Sequence, residues 1–211
     1  MLLQQLQDYF AVNTSLFLTS LGQHLLISVV SIAAAILVCV PLGICISKKA
    51  MIAGPVINLV NVARVIPSLA ILALAMPLLG VGFLPAFLAL FLLACPPILL
   101  NTYVGFKEIA PSIREAAYGM GMTPMQTIRK VELPLALPVI IAGIRTSSVE
   151  IIASATLAVL IGGGGLGNYI MNGIAMFNTM FLLLGAVPVA LLAILSEFLF
   201  GFLLKQVTAY K

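Results

Sequence analysis

Residues 21–46 read LGQHLLISVVSIAAAILVCVPLGICI, an unbroken apolar run with no Asp, Glu, Lys or Arg in it. A helix needs roughly 20 mostly apolar residues to cross the hydrocarbon core of a bilayer. This run is long enough, and four more like it follow at 56–79, 83–106, 137–161 and 180–204. Their apolar residues lie nearly all round, as in helices solvated by lipid or by other helices. Strands are not expected, because a membrane barrel would alternate polar and apolar positions over short segments. Composition agrees. Of 211 residues 63% are hydrophobic and only 8% charged, and the mean hydropathy is +1.24. A soluble domain has roughly a quarter of its residues charged, so too little polar surface remains to cover a water-soluble globule. The expected fold is all-α, a polytopic membrane protein of about five transmembrane helices.

Outside these runs the chain divides simply. Residues 1–20 are expected to form an N-terminal interfacial segment, beginning with a short amphipathic helix in MLLQQLQDYF. That stretch lacks the basic start of a signal peptide, and the apolar run after it is too long for one, so cleavage is not expected. Residues 21–211 form the transmembrane domain, interrupted by a polar loop at 107–134. Basic residues set the orientation. Lys48 and Lys49 close the first run, Lys107, Arg114, Arg129 and Lys130 lie in the polar loop, and Lys205 and Lys211 follow the last run. The connections at 80–82 and 162–178 have no Lys or Arg. The positive-inside rule then puts the N-terminus outside and the C-terminus in the cytoplasm. The net charge of +4 is a topology signal and calls for no nucleic acid. Cys39, Cys45 and Cys95 fall within apolar runs without metal-ligand spacing and read as small hydrophobes.

The polar loop has the grammar of two short helices around a glycine turn. Ser112 precedes Glu115 by three residues, the spacing of a capping box, with Pro111 just ahead. The helix would pass through Ala116 and Ala117, a small-residue surface open to close approach, and break at Gly119 and Gly121. Thr123 and Pro124 then read as N-cap and first residue of a second helix. That helix carries an apolar stripe of Met125, Ile128 and Val131 and should stop before Pro134. From the residues alone, the loop is either a solvated connector or a docking element for a soluble partner.

Glu115-Ala116-Ala117, three residues, Gly121, nine residues, Val131, one residue and Leu133-Pro134 resembles the EAA loop of binding-protein-dependent ABC importer permeases. Only Val131, where that pattern has Ile, departs from it. The resemblance implies the transmembrane domain of a type I ABC importer, in a bacterial cytoplasmic (inner) membrane. It implies that the helix around Glu115 to Gly121 couples to cytoplasmic ATPase subunits, with Gly119, Leu133 and Pro134 in the same element. ATP and Mg would be held by those partner subunits, and this chain would bind no cofactor and catalyse nothing itself. A second permease subunit, identical or merely similar, and an extracytoplasmic substrate-binding protein complete the implied assembly. Ile66-Pro67-Ser68-Leu69-Ala70, Pro97-Ile98-Leu99, Asn101-Thr102-Tyr103, Ala155-Thr156-Leu157 and the GGGGLG run at 162–167 are further similar to osmoprotectant permeases. Those carry glycine betaine, carnitine, choline or related quaternary amines.

Arg64, Arg145 and Glu150 lie well inside apolar runs. A charge at the bilayer centre costs roughly 3 kcal/mol or more, so such residues face a cavity or a partner. The two arginines have stems long enough to reach the cytoplasmic face. Glu150 is deeper, and five residues from Arg145 it occupies another helix face. Its expected partner is Arg64, within one subunit or across a dimer. Pro41, Pro67, Pro77, Pro96, Pro97 and Pro188 should bend their helices. Pro67, close after Arg64, would give the second helix a flexible point, making Arg64, Pro67 and Glu150 the expected path or gate. Glu197 reads as an ordinary interfacial charge.

Other chemistry finds little support. The GGGGLG run lacks the Lys-Ser/Thr of a phosphate loop and lies on the outer side, so it reads as a tight turn. His24, the sole histidine, has no G-x-S-x-G or H-E-x-x-H around it and reads as an interfacial hydrogen-bonding residue. Quaternary ammonium ions are best held by aromatic cages, yet the chain has no Trp and five Tyr. Strong selectivity would then reside in the separate binding protein. Two rival readings stay open: an ion-coupled secondary transporter using Glu150, and an ABC permease for another small substrate such as an amino acid.

Overall fold

In lipid every backbone N–H and C=O must be satisfied within the protein, and a helix does this locally. The computed structural model, which describes residues 2–209, is accordingly helical throughout, with no strand among those residues. The elements are α1 (Leu2–Lys48), α2 (Ala50–Val65), α3 (Ser68–Leu79), α4 (Phe83–Lys107), α5 (Pro111–Gly119), α6 (Pro124–Thr127), a π turn (Ile128–Glu132), α7 (Leu133–Ser154), a 3-10 turn (Leu157–Ile161), α8 (Gly167–Ala175) and α9 (Thr179–Ala209). Four helices are long and apolar enough to cross a membrane, and the bent pair α2–α3 makes a fifth.

The first helix begins well before residue 21. At 1.5 Å per residue its 47 residues are about 70 Å long, over twice the ~30 Å hydrocarbon core. The backbone bends at Asn13 (φ −114°, ψ 18°), whose side-chain amide donates to the Tyr9 carbonyl at 3.3 Å. Upstream of the bend, Leu6, Tyr9 and Phe10 pack with Tyr169 and Phe181 of α8 and α9. The Tyr9 and Tyr169 hydroxyls lie 3.0 Å apart.

The core runs along α4, which packs against α1 on one side and α7 on the other. Leu90, Ala94, Ile98 and Phe106 of α4 are completely buried. Lipid offers no hydrophobic drive between helices, so close approach of small residues matters more. Gly43 of α1 lies against Thr102 and the Leu99 carbonyl, and Gly143 of α7 against Asn101 and the Pro97 carbonyl. Ser147 donates across the second contact to the Ala94 carbonyl at 3.1 Å.

Two of the expected spans differ in detail. The run at 56–79 is not one helix with a flexible point but two helices meeting at 97°. Ile66 (φ −71°, ψ 122°) and Pro67 (φ −58°, ψ 139°) are both extended, the conformation that a following proline ring favours for its predecessor. The run at 137–161 leaves the helix after Ser154 and folds back through the 3-10 turn. There the Gly82 N–H donates to the Ile161 carbonyl at 2.7 Å, and Gly165 (φ +92°) presents its N–H to Gln23 Oε1 at 3.1 Å. The glycine run is thus a tight turn packed inward against α1.

His24 is also inside, fully buried, with Nε2 3.1 Å from the Ile152 carbonyl. The hydrogen bond expected of it is present but made within the protein, because α7 and the glycine turn cover that face of α1. At the start of α9, Asn178 Oδ1 accepts from the N–H groups of Met180 and Phe181 at 2.9 and 3.4 Å.

A methyl group at Gly143 would meet Asn101 Cβ at 2.6 Å and the Pro97 carbonyl at 2.7 Å. Gly143→Ala should therefore cost about 2 kcal/mol by overpacking, read as a lower thermal unfolding midpoint in detergent. Gly22→Ala, with nothing within 4 Å of the added methyl, should not lower it.

Candidate functional site: the α4–α7 loop and a charged cavity

The loop folds into the two short helices that its glycines and prolines suggest. Pro111 occupies the first turn of α5, and Ala110 (φ −55°, ψ 135°) is its N-cap. The Ser112–Glu115 capping box does not form, because Ser112 already lies inside the helix and a cap must sit just outside it. Gly121 has φ +80°, in the left-handed region that a side chain disfavours. Its N–H donates to the Tyr118 carbonyl at 2.9 Å. Thr123 then caps α6 as expected, and a capping box does form here with Gln126. Gln126 N–H donates to Thr123 Oγ1 at 3.4 Å, and Thr123 N–H to Gln126 Oε1 at 2.9 Å.

The second helix does not stop before Pro134. It continues through the π turn into α7, the Leu133 N–H reaching back five residues to the Ile128 carbonyl. The wider turn falls just where Pro134 has no N–H to give and its ring would crowd an α-helical ladder. Glu115, Ala116, Gly119, Gly121 and Pro134 are exposed, and Leu133 is half-buried. Ala117 is only 1% exposed, so the expected two-alanine surface reduces to Ala116. Ile113, Tyr118, Met120 and Met125 are exposed instead, giving the loop an apolar crest. Ile128 packs toward the core.

Beneath the crest lies a feature the sequence reading passed over. Glu132, in the unspecified position before Leu133-Pro134, is 0% exposed. Lys48, at the end of α1, reaches Oε2 at 2.5 Å, and Arg114 Nε of α5 reaches Oε1 at 2.5 Å. Arg114 also donates through Nη2 to the Phe106 carbonyl at 2.5 Å, and the Lys48 ammonium sits 5.9 Å from the Phe106 ring centroid. One carboxylate thus joins the ends of α1 and α4 to α5 and the π turn. A lone acid at 132 beside Arg129 and Lys130 was the available signal.

The second region is a cavity of about 280 Å³ at the α2–α3 break. Arg64, Pro67, Ser68 and Glu150 line it, with Pro96 and Pro97 from the middle of α4. The three expected gate residues therefore come together. Arg64 and Glu150 share this space without direct contact. Among the described residues, the ion pairs are Lys48–Glu132, Arg114–Glu132 and Arg145–Glu197. Glu197 is thus the α9 partner of Arg145 on α7.

A helical membrane bundle with an apolar-crested loop on one side and a charged cavity at a broken helix defines a class: a polytopic permease domain. The chain belongs to the family of binding-protein-dependent transport system inner membrane components, whose sequence pattern matches residues 39–209. It is 44% identical over 206 residues to the glycine betaine/carnitine/choline transport system permease protein OpuCB of Bacillus subtilis, covering 98% of this chain and 95% of that one. It is 46% identical over 186 residues to the choline transport system permease protein OpuBB of the same organism, covering 88% and 86%. To the carnitine transport permease protein OpuCB of Listeria monocytogenes it is 45% identical, covering 95% and 92%. In fold it matches a chain of the MetNI methionine ABC transporter in an inward-facing conformation. The TM-score is 0.84 at 24% identity, over 92% of this chain and 97% of that one.

Removing Arg114 leaves the buried Glu132 carboxylate with Lys48 alone and takes a donor from the Phe106 carbonyl, at a cost of about 2 kcal/mol. Arg114→Ala should therefore lower the thermal unfolding midpoint in detergent clearly. Adding Glu132→Gln to Arg114→Ala should cost much less than the two single effects summed, because both substitutions break one network.

Proposed function

We propose that this chain is the transmembrane permease subunit of an ATP-dependent importer for osmoprotectants of the quaternary-amine class: glycine betaine, carnitine and choline. The observation that carries the reading is the exposed α5 helix and glycine turn, fixed through Arg114 and Glu132 to the ends of two membrane helices. A soluble motor can press on such an element and move the spans. Near full-length likeness to relatives named for those solutes supports the substrate class.

In this reading ATPase subunits, holding ATP and Mg, receive the loop at Glu115, Ala116, Gly119 and Gly121. Ala117, Leu133 and Pro134 shape it from behind. The loop and the C-terminus face the cytoplasm, the N-terminus faces outward, and residues 1–20 flank the outer surface. A second permease subunit closes the open side of the cavity, and Arg64, Pro67 and Glu150 line the path. An extracytoplasmic binding protein delivers the solute and supplies most of the selectivity. ATP closes the motor subunits, the loop carries that motion upward, and access to the path alternates.

Gly121→Pro tests the coupling. Proline fixes φ near −65°, against the +80° that Gly121 adopts. The expected result, in proteoliposomes with the cognate subunits, is loss of ATP-driven glycine betaine uptake while the complex still assembles. Wild-type uptake should depend on internal ATP and ignore an uncoupler. Uptake that an uncoupler stops while ATP remains would instead favour an ion-coupled carrier.

A further inference from the structure

The α2–α3 break places two unlike backbone ends in one cavity. A helix C-terminus leaves carbonyls without intrahelical partners, and an N-terminus leaves N–H groups without them. Here the end of α2 and the start of α3 are separated only by Ile66 and Pro67. Local bonds satisfy part of each end: Ile66 N–H donates to the Ala63 carbonyl at 3.2 Å, and Ala70 N–H to the Pro67 carbonyl at 2.9 Å. The rest of both ends borders the cavity through Arg64, Val65, Ser68 and their neighbours. The start of α3 carries the positive end of its helix dipole and the end of α2 the negative one. Broken membrane helices use such paired ends to hold charged solutes near the bilayer midplane.

Side chains add charges of both signs to the same space. Arg64 supplies a fixed positive charge and Glu150 a carboxylate, both lining the cavity and not neutralised by a direct ion pair. Arg145, the other intramembrane arginine, is occupied by Glu197. Two opposite charges held apart in one small space match a solute that carries both signs. A simple cation or anion leaves one pole unanswered, which is how a site discriminates against it. At 280 Å³ the space is at the lower end of ligand pockets, which start at about 300 Å³. That suits a small osmolyte. No aromatic residue lines it, so a quaternary ammonium finds charge there but no cage, as a site that must also release its solute requires.

We infer that the cavity at the α2–α3 break is a transient two-pole binding site for zwitterionic solutes. Arg64 and the start of α3 take the carboxylate, and Glu150 takes the quaternary ammonium. The assignment rests on the permease reading above and adds a preference. Carboxylate-bearing glycine betaine and carnitine engage both poles, whereas choline, a cation, engages only the Glu150 side.

The test uses the complete complex in proteoliposomes and does not depend on binding-protein selectivity. Ser154→Cys places a thiol on the cavity wall, and its labelling by a polar thiol reagent is followed by mass spectrometry with glycine betaine or choline present. Both solutes should slow labelling, betaine at the lower concentration. Arg64→Gln should raise the half-protecting concentration of betaine about tenfold, the loss of one charge-assisted contact, and leave that of choline in place. Arg64→Lys should restore much of the betaine protection, and Glu150→Gln should weaken both solutes. Equal loss for both solutes in Arg64→Gln, or loss for neither, would overturn the assignment. So would absence of protection in a complex that still imports betaine with ATP, and that outcome leaves the permease reading standing. A wild-type complex that imports no quaternary amine would overturn the substrate reading, and this site with it.

Discussion

The carboxylate of Glu132 is the constraint on which the α4–α7 loop and the helix ends around it depend. It lies wholly inside the protein, where an unpaired charge is not tolerated, so cations must be brought to it. One comes from the end of α1 and the other from α5. Neither cation is itself fully buried, so each keeps part of its hydration while the acid loses all of its own. That asymmetry makes the acid the organising member. The second bond of Arg114, to the Phe106 carbonyl, also satisfies an acceptor in the last turn of α4. Two requirements at helix ends are thus met by one guanidinium.

The π turn belongs to the same solution. Residues 128–132 form the stretch in which the chain changes from the loop to a membrane helix without leaving helical geometry. A stop before Pro134 would have separated the loop from α7 by a flexible joint. The observed continuity makes α6, the π turn and α7 one rod, with Glu132 clamped where the rod enters the bundle. In the proposed importer a displacement of α5 therefore has three routes into the membrane domain: Lys48 to α1, Phe106 to α4, and the rod itself to α7.

What the sequence made legible follows from how few answers lipid permits. Long apolar runs had to be helices, and glycine and proline marked the ends of α5 and the start of α6. The Thr123 cap was readable because threonine before proline has one favourable role there. Ser112 misled because its spacing to Glu115 fits a box whether or not the helix starts two residues earlier, and Pro111 at the first turn decided that it does. Pro67 was legible as a disturbance, but whether a proline kinks a helix or breaks it depends on what covers the freed groups. Glu132, His24 and the Arg145–Glu197 pair were opaque for a common reason. Each is defined by a residue distant in sequence, and hydropathy carries no information about which distant element arrives.

The packing also separates the bundle into a firm part and a looser one, and the cavity lies on the boundary. Glycine contacts and the Glu132 network bind α1, α4 and α7 closely. By contrast, among the described side chains of α2 and α3 only Ala53 and Leu72 are buried. Val62, Val65 and Leu69, on either side of the break, are exposed, so few contacts within this chain hold that region in place. Arg64 rides on this looser element, whereas Glu150 is built into α7. Any shift of α2–α3 against α7 must change the separation of the two charges. Binding geometry and helix position are therefore a single variable. In the proposed importer, a small zwitterion would be held in one arrangement of the broken helix and released in another, which is the property an alternating path requires.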